Sequence, residues 1–459
     1  MLFAFIILIF FVLVLFVGYK TTSNNNISDF IFSGRKLTIP SLVATLVTTW
    51  YGGINEIGIE TINNGIVVWL YFGIFYYISA IIYAYIIAPK IISNNYSSIP
   101  LTIFKTYGKL PGLISLLFIF LYLLPSSYLL ILGQILSEAF DLTINKSILI
   151  GLFLSSIYTL KGGFNSIVNT DKIQFLFMFL GFTILSLTLF TSNDYGIKYL
   201  QISYQNNENL FSIPGNVQWT YIFMFFFLSL LTFLDPSFYQ RTYSGKNLKT
   251  VQNSIIISII FWIIFDFMTI TSALFYYGIS IENQLNPLQS NSPYIELAKI
   301  VFADNNLFLA IFFISIISVV MSTIDSYTFL CSVTLRYDLG KILGYDVEIK
   351  SLRQTIIIVM IISYLMSTIF NRALDYWYYF GTYAFVSTFL PLICALFKIK
   401  LNNIILIMVT SITLTISWDI LSYLSLVKLP SIYIGFLVSC SFLFIQKLHI
   451  LINGNNENL

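Results

Sequence analysis

Apolar runs long enough to cross a bilayer follow one another along almost the whole chain, separated by thin polar breaks. A helix needs about 20 apolar residues to span the hydrocarbon core. Runs near that length fall at 2–19, 40–64, 66–89, 111–140, 147–162, 164–191, 216–235, 252–281, 305–334, 354–371, 376–397, 401–426 and 431–451. Thirteen segments in 459 residues leave loops and two ends but no room for a soluble domain, so 1–459 reads as one membrane domain. The first run has no basic residue before it, its first is Lys20, and no small-residue cleavage site follows. It is therefore expected to be a true span rather than a signal peptide.

Composition excludes the soluble classes. Hydrophobic residues make up 58% and charged residues 9%, against about 25% charged in soluble domains. A soluble enzyme, a disordered protein and a nucleic-acid binder are excluded as wholes. The expected fold class is an all-α polytopic membrane protein of about 13 transmembrane helices, with a lipid bilayer as its surroundings. His449 is the sole histidine and lies near the C-terminus, which argues against histidine-based catalysis or metal binding. Cys331, Cys394 and Cys440 sit far apart in apolar stretches and show neither a disulfide framework nor metal-ligand spacing.

Orientation follows from the basic residues, because cytoplasmic loops collect Lys and Arg. With the N-terminus outside, 18 of the 23 Lys and Arg residues fall on the cytoplasmic side; Lys146, Lys198, Lys299, Arg372 and Lys428 fall on the other. The expectation is an integral protein of a bacterial inner (plasma) membrane, N-terminus outside and C-terminus cytoplasmic.

Most spans are monotonous, and the exceptions carry the information. The second contains Trp50-Tyr51-Gly52-Gly53-Ile54-Asn55-Glu56. Adjacent glycines permit a break in the helix, and carbonyls freed inside a bilayer need a partner, which a bound cation supplies. Interrupted helices of this kind mark binding sites in secondary transporters. The alternative is a close-packing face between helices. The ninth span carries Ser322-Thr323-Ile324-Asp325-Ser326, where Asp325 and Ser326 share the helical face of Ser322. A hard cation such as sodium wants several oxygens; the alternative for the hydroxyls is back-bonding to their own helix. In the sixth span Asp171 and Gln174 share a face near its start, with helix capping as the plain alternative.

Four stretches, in order, resemble the sodium:solute symporter family: Ser28-Asp29-Phe30 with Ser33-Gly34-Arg35; Tyr158-Thr159, Gly162-Gly163, Thr170-Asp171 and Gln174; Asp235-Pro236, Gln240-Arg241 and Ser244-Gly245-Lys246-Asn247; and Met321 to Ser326. The resemblance implies two inverted five-helix repeats, 40–191 and 216–397, with an unwound first core helix. One extra span at 2–19 precedes them and two extra spans in 401–451 follow. It implies Na+-coupled uptake by alternating access, with a small-molecule solute as the other partner. Carried over by position, the sodium site uses backbone carbonyls of Thr48, Tyr51 and Val319 and the hydroxyls of Ser322 and Thr323. Asp171, Ser322, Asp325 and Ser326 are candidates for a second sodium site. The chain departs from the pattern in the seventh span, which has no glycine, so no break can be read there; nor does the fourth span offer an arginine clamp.

The solute pocket is expected beside the helix break near the midplane, lined by Trp50, Gly52, Gly53, Asn55, Glu56, Trp69, Phe72, Tyr76, Ser127 and Tyr128. Backbone amides at Gly52 and Gly53 suit a carboxylate and Glu56 an ammonium, which together favour an amino acid; a monocarboxylate or a sugar is the alternative. Proton coupling through Glu56 or Asp325 is the rival to sodium. A sensor that binds solute without moving it is the rival of a different class, and the short Asn-rich tail at 454–459 gives no expectation of an output domain. No nucleophile–base pair, metal cluster or phosphate loop points to an enzyme.

Overall fold

A computed structural model describes residues 2–21, 26–95, 97–192, 194–370 and 372–454; the side chains of Lys447 and His449 lie outside the described residues. Helices dominate and no strand occurs among the described residues. The main helices are α1 (Leu2–Lys20), α2 (Ile39–Trp50), α3 (Ile54–Asn64), α4 (Trp69–Ser93), α5 (Lys109–Leu123), α6 (Ser126–Phe140), α7 (Ile144–Ser156) and α8 (Phe164–Thr191). They continue with α9 (Trp219–Ser229), α10 (Pro236–Ser244), α11 (Leu248–Glu282), α12 (Asn306–Val333), α13 (Ile349–Ser367), α14 (Ala373–Leu396), α15 (Ile404–Tyr423) and α16 (Ser431–Gly454).

Every expected span is covered by helix, but not every one by a single long helix. Ten helical segments among the described residues are long and apolar enough to cross a membrane. The 40–64 segment is instead two short helices, α2 and α3, because Tyr51, Gly52 and Gly53 leave the helical path. α7 has 13 residues, which at about 1.5 Å per residue gives about 20 Å, short of the hydrocarbon core. The 111–140 run bends at Leu124-Pro125, where the proline cannot continue the hydrogen-bond ladder and α5 passes into α6.

The core is organised around α8 and α12, which pack along one another. Small residues allow it: a Cβ on Gly181 would lie 2.4 Å from the Cβ of Ser315. α2 lies on α8, α11 and α12 together. Residues 312–333 of α12 are all buried, so its polar residues face protein rather than lipid, as polar groups at membrane depth must.

The seventh span holds a finding that its glycine-free sequence did not announce. α9 tightens into a 3-10 turn at Leu230–Leu234, Asp235 turns extended (φ −82°, ψ 112°), and α10 starts afresh at Pro236. Asp235 caps it, its Oδ1 accepting the Ser237 N–H at 2.7 Å. The signal was chemical: an Asp N-cap followed by Pro at the first helical position is a helix start, here in the middle of a span.

Candidate functional site

The break between α2 and α3 is shaped by a close approach. None of Tyr51, Gly52 or Gly53 has a positive φ, so the glycines are not there for an unusual backbone. A Cβ on Gly52 would stand 2.5 Å from Thr323 Oγ1, and one on Gly53 would stand 2.1 Å from the Trp377 ring. The packing alternative and the break are thus one feature: lacking a Cβ, Gly52 lets the end of α2 rest on the hydroxyls of α12.

Oxygens converge at this contact. Thr323 Oγ1 donates to the Thr49 carbonyl at 3.0 Å and lies 3.2 Å from the Val319 carbonyl. Ser322 Oγ lies 2.7 Å from Asp171 Oδ1 and 2.9 Å from Thr48 Oγ1. The Tyr51 carbonyl accepts the Ile54 N–H at 2.9 Å and keeps its second lone pair. Thr48, Tyr51, Val319, Ser322 and Thr323 are all buried. A neutral set of carbonyls and hydroxyls suits a hard monovalent cation. It is unlike a transition-metal site: among the described residues no cluster of His, Cys, Asp and Glu has the makings of one.

The four candidates for a second ion are divided. Asp171 accepts from Thr45 and Ser322. Asp325 accepts from the Tyr158 hydroxyl. Ser326 accepts from Arg241 Nη2 at 3.0 Å. That same nitrogen donates to Thr45 Oγ1 and Thr49 Oγ1, each at 2.8 Å. Arg241 is 1% exposed, so a guanidinium from α10 stands where only hydroxyls and acids were expected.

Beside the break lies a cavity of about 500 Å³. Thr49, Asp235, Ser237 and Arg241, all buried, line it, as do Glu60, Arg372 and Lys428. Of the ten expected solute residues, Trp50, Gly53, Phe72, Tyr76 and Tyr128 line it. Gly52, Asn55, Glu56, Trp69 and Ser127 do not. Helical periodicity explains Asn55 and Glu56: on α3 the cavity meets Ile57 and Glu60, one face of the helix, while Gly52 lies in the break and packs on Thr323. Asn55 donates to the Asn291 carbonyl at 2.6 Å. The Glu56 carboxylate pairs with Arg372 at 2.7 Å, and Arg372 also reaches Glu60 at 3.3 Å. Glu56 thus has a cation from its own chain. Trp69 donates to the Tyr77 hydroxyl at 3.2 Å, and Ser127 accepts from Trp377 Nε1 at 2.8 Å, so each braces a neighbouring ring.

Asp235, Tyr122, Tyr327 and Trp377 line the cavity without having been assigned to it from sequence. Asp235 had its cap-and-proline signature. The rings had none, because Phe, Tyr and Trp make up 18% of the chain and a ring that lines a cavity looks like one that faces lipid.

The family model for the sodium:solute symporter family matches residues 30–429. Among curated proteins, solute carrier family 5 member 4A of Mus musculus is 28% identical over 194 residues; the match covers 40% of this chain and only 29% of that protein's length. Among solved structures, a Na+-coupled sialic acid symporter in a substrate-bound outward-open state superposes with a TM-score of 0.77 at 15% identity, over 97% of this chain and 96% of the other. MhsT in complex with L-phenylalanine gives 0.57 at 12% identity, over 91% and 99%. At these identities the structures speak for the fold, a leucine-transporter-like arrangement of helices, and for nothing finer.

Proposed function

The chain belongs to the sodium:solute symporter family, and from that premise we propose that it imports a small organic solute together with Na+ by alternating access. The observation that carries the reading is the contact of Gly52 with Thr323. It sets the last turn of the broken helix α2 against the paired hydroxyls of α12, making one oxygen cage out of two helices. The repeats are taken as 40–191 and 216–397, so each opens with a broken helix, α2–α3 and α9–α10. With the N-terminus outside, as the basic residues suggest, the side carrying Arg372 and Lys428 is external.

Sodium enters as a co-transported substrate. Carbonyls of Thr48, Tyr51 and Val319 with the hydroxyls of Ser322 and Thr323 hold it and tie α2 to α12. Tying them favours the outward-facing arrangement and fixes Trp50 and Gly53, which line the solute cavity. Coupling arises because the cage holds the ion more tightly in one state than the other, and an inward-negative potential adds about 2.3 kcal/mol per charge per 100 mV. The second-ion reading keeps Asp171 and Ser322, which are already in contact.

For the solute we favour an amino acid over a monocarboxylate or a sugar. The cavity lining includes both a buried acid, Asp235, and a buried base, Arg241, the two charges a zwitterion requires.

Thermal unfolding of the purified protein in sodium and in potassium tests the sodium site. A ligand at 100 times its Kd adds about 2.7 kcal/mol to the native state, so sodium is expected to raise the unfolding midpoint. Ser322→Ala combined with Thr323→Ala is expected to abolish that rise. A sodium effect that survives in the double variant removes the site from where it is placed here.

A further inference from the structure

We propose that the cavity recognises an ammonium group on its solute, with Asp235 as the counter-ion and two groups of aromatic lining residues as the rest of the subsite. The inference deepens the symporter reading above and rests on it.

Although Arg241 lines the same cavity, Asp235 is a carboxylate with no cation in direct contact. It is 4% exposed and lines the cavity, yet no Lys or Arg lies within 4.0 Å of it among the described residues. Its two hydrogen bonds come from neutral donors: the Ser237 N–H at 2.7 Å to Oδ1 and the Tyr327 hydroxyl at 3.2 Å to Oδ2. A carboxylate offers about four acceptor sites, so roughly half its capacity remains open. Arg241, also on the cavity lining, spends Nη2 on three hydroxyls. The other acid among the lining residues on α3, Glu60, shares Arg372 with Glu56. An ionised carboxylate at membrane depth is unfavourable by several kcal/mol unless paired; a solute cation would pair it.

The rings suit the same guest. Among the cavity's lining, Trp50 and Tyr76 meet edge to face at 5.0 Å, and Tyr128 lies 5.4 Å from both Tyr327 and Trp377. The Tyr327 hydroxyl donates to Asp235 Oδ2, so the carboxylate abuts the second group of rings. Ring faces attract ammonium groups, quaternary ones included, most strongly where water is excluded. A sugar would gain from the rings but would leave the carboxylate's charge unpaired. A monocarboxylate would be repelled by it.

The test uses pairs of solutes that differ only in the charged centre: betaine against 3,3-dimethylbutanoate, choline against 3,3-dimethylbutan-1-ol, and L-phenylalanine against 3-phenylpropionate. Each is titrated by thermal shift against purified full-length protein in sodium chloride, with potassium chloride as the inert comparison. At least one ammonium member is expected to stabilise the protein while its uncharged-centre partner does not. Asp235→Asn keeps a capping side chain on α10 and is expected to weaken that binding about 100-fold, the scale set by removing one partner of a buried charge pair. Tyr128→Leu removes a ring but no charge, and is expected to weaken it about 5-fold.

Equal binding within every pair overturns the proposal, as does stabilisation by none of the ammonium members, or discrimination that persists in Asp235→Asn. Sodium's effect on the solute-free protein separates the two readings. If sodium stabilises and no ammonium solute does, the subsite is wrong and symport stands. If sodium has no effect either, the symporter reading itself falls.

Discussion

The two broken helices do the same architectural job with different chemistry. At α2–α3 the chain breaks where Gly52 removes a Cβ, and Thr323 from α12 takes the space. At α9–α10 it breaks where Pro236 has no N–H to offer and Asp235 caps the new helix at 2.7 Å. The first break therefore leaves neutral oxygens beside a close helix contact, an environment for a small hard cation. The second places an acidic side chain on the cavity lining. What fills the gap in the ladder decides what chemistry the gap presents.

The largest effect expected from this contrast comes from Gly52→Ala. The added Cβ would stand 2.5 Å from Thr323 Oγ1 and 2.6 Å from its Cβ. Thr323 is fully buried and β-branched, so it has little freedom to swing aside. Overpacking of this kind destabilises by about 1–3 kcal/mol, and here it also displaces a hydroxyl of the proposed sodium cage. Sodium-driven uptake into proteoliposomes is expected to fall at least about 100-fold, at about 1.4 kcal/mol per tenfold change. Uptake with unchanged sodium dependence would show that the glycine serves the break by backbone freedom alone.

Next in size is Asp235→Ala. It removes both the Ser237 cap and the acceptor of the Tyr327 hydroxyl. An N-cap is worth about 1 kcal/mol, and the stranded buried phenol adds to the loss. The unfolding midpoint is expected to drop in Asp235→Ala and to stay near wild type in Asp235→Asn, which retains a capping oxygen. Equal midpoints in the two variants would mean that the cap does not hold this break.

What the sequence disclosed follows the same division. Hydrocarbon thickness imposes a length on each span, so the spans were legible wherever a helix runs unbroken. α7 escaped because a 13-residue helix passes for a span when its apolar neighbours are counted in. The Gly52-Gly53 break was legible because glycine pairs are conspicuous in a membrane helix. The contact of α12 with the end of α2, where Thr323 meets the Thr49 carbonyl, falls in the stretch on which the family resemblance is anchored. The cavity beside the break was only half legible, because Asn55 and Glu56 point away from the face of α3 that lines it. Residues that complete it, such as Trp377 and Arg372, lie more than 300 positions from α2–α3, and nothing local to them announces the contact. Asp235-Pro236 was the missed opportunity: the pair was noticed as part of a motif but not as a helix start.

The smallest expected effect is the one that best separates cap from proline. Pro236→Ala restores an N–H at the first position of α10, where helices leave that donor unpaired in any case. The fixed φ of proline is lost, at about 0.4–1 kcal/mol through the freer unfolded chain. Asp235 is already extended, with ψ at 112°, and still caps Ser237. The break should therefore persist, the midpoint should fall only slightly, and any discrimination between betaine and 3,3-dimethylbutanoate should be unchanged. The opposite outcome is informative in a specific way. If Pro236→Ala lost that discrimination as fully as Asp235→Asn, the new N–H would have joined α9 to α10 and carried the carboxylate away from the cavity. The proline rather than the cap would then be what holds the second break, and both breaks would be failures of the helix ladder, differing only in which residue causes the failure.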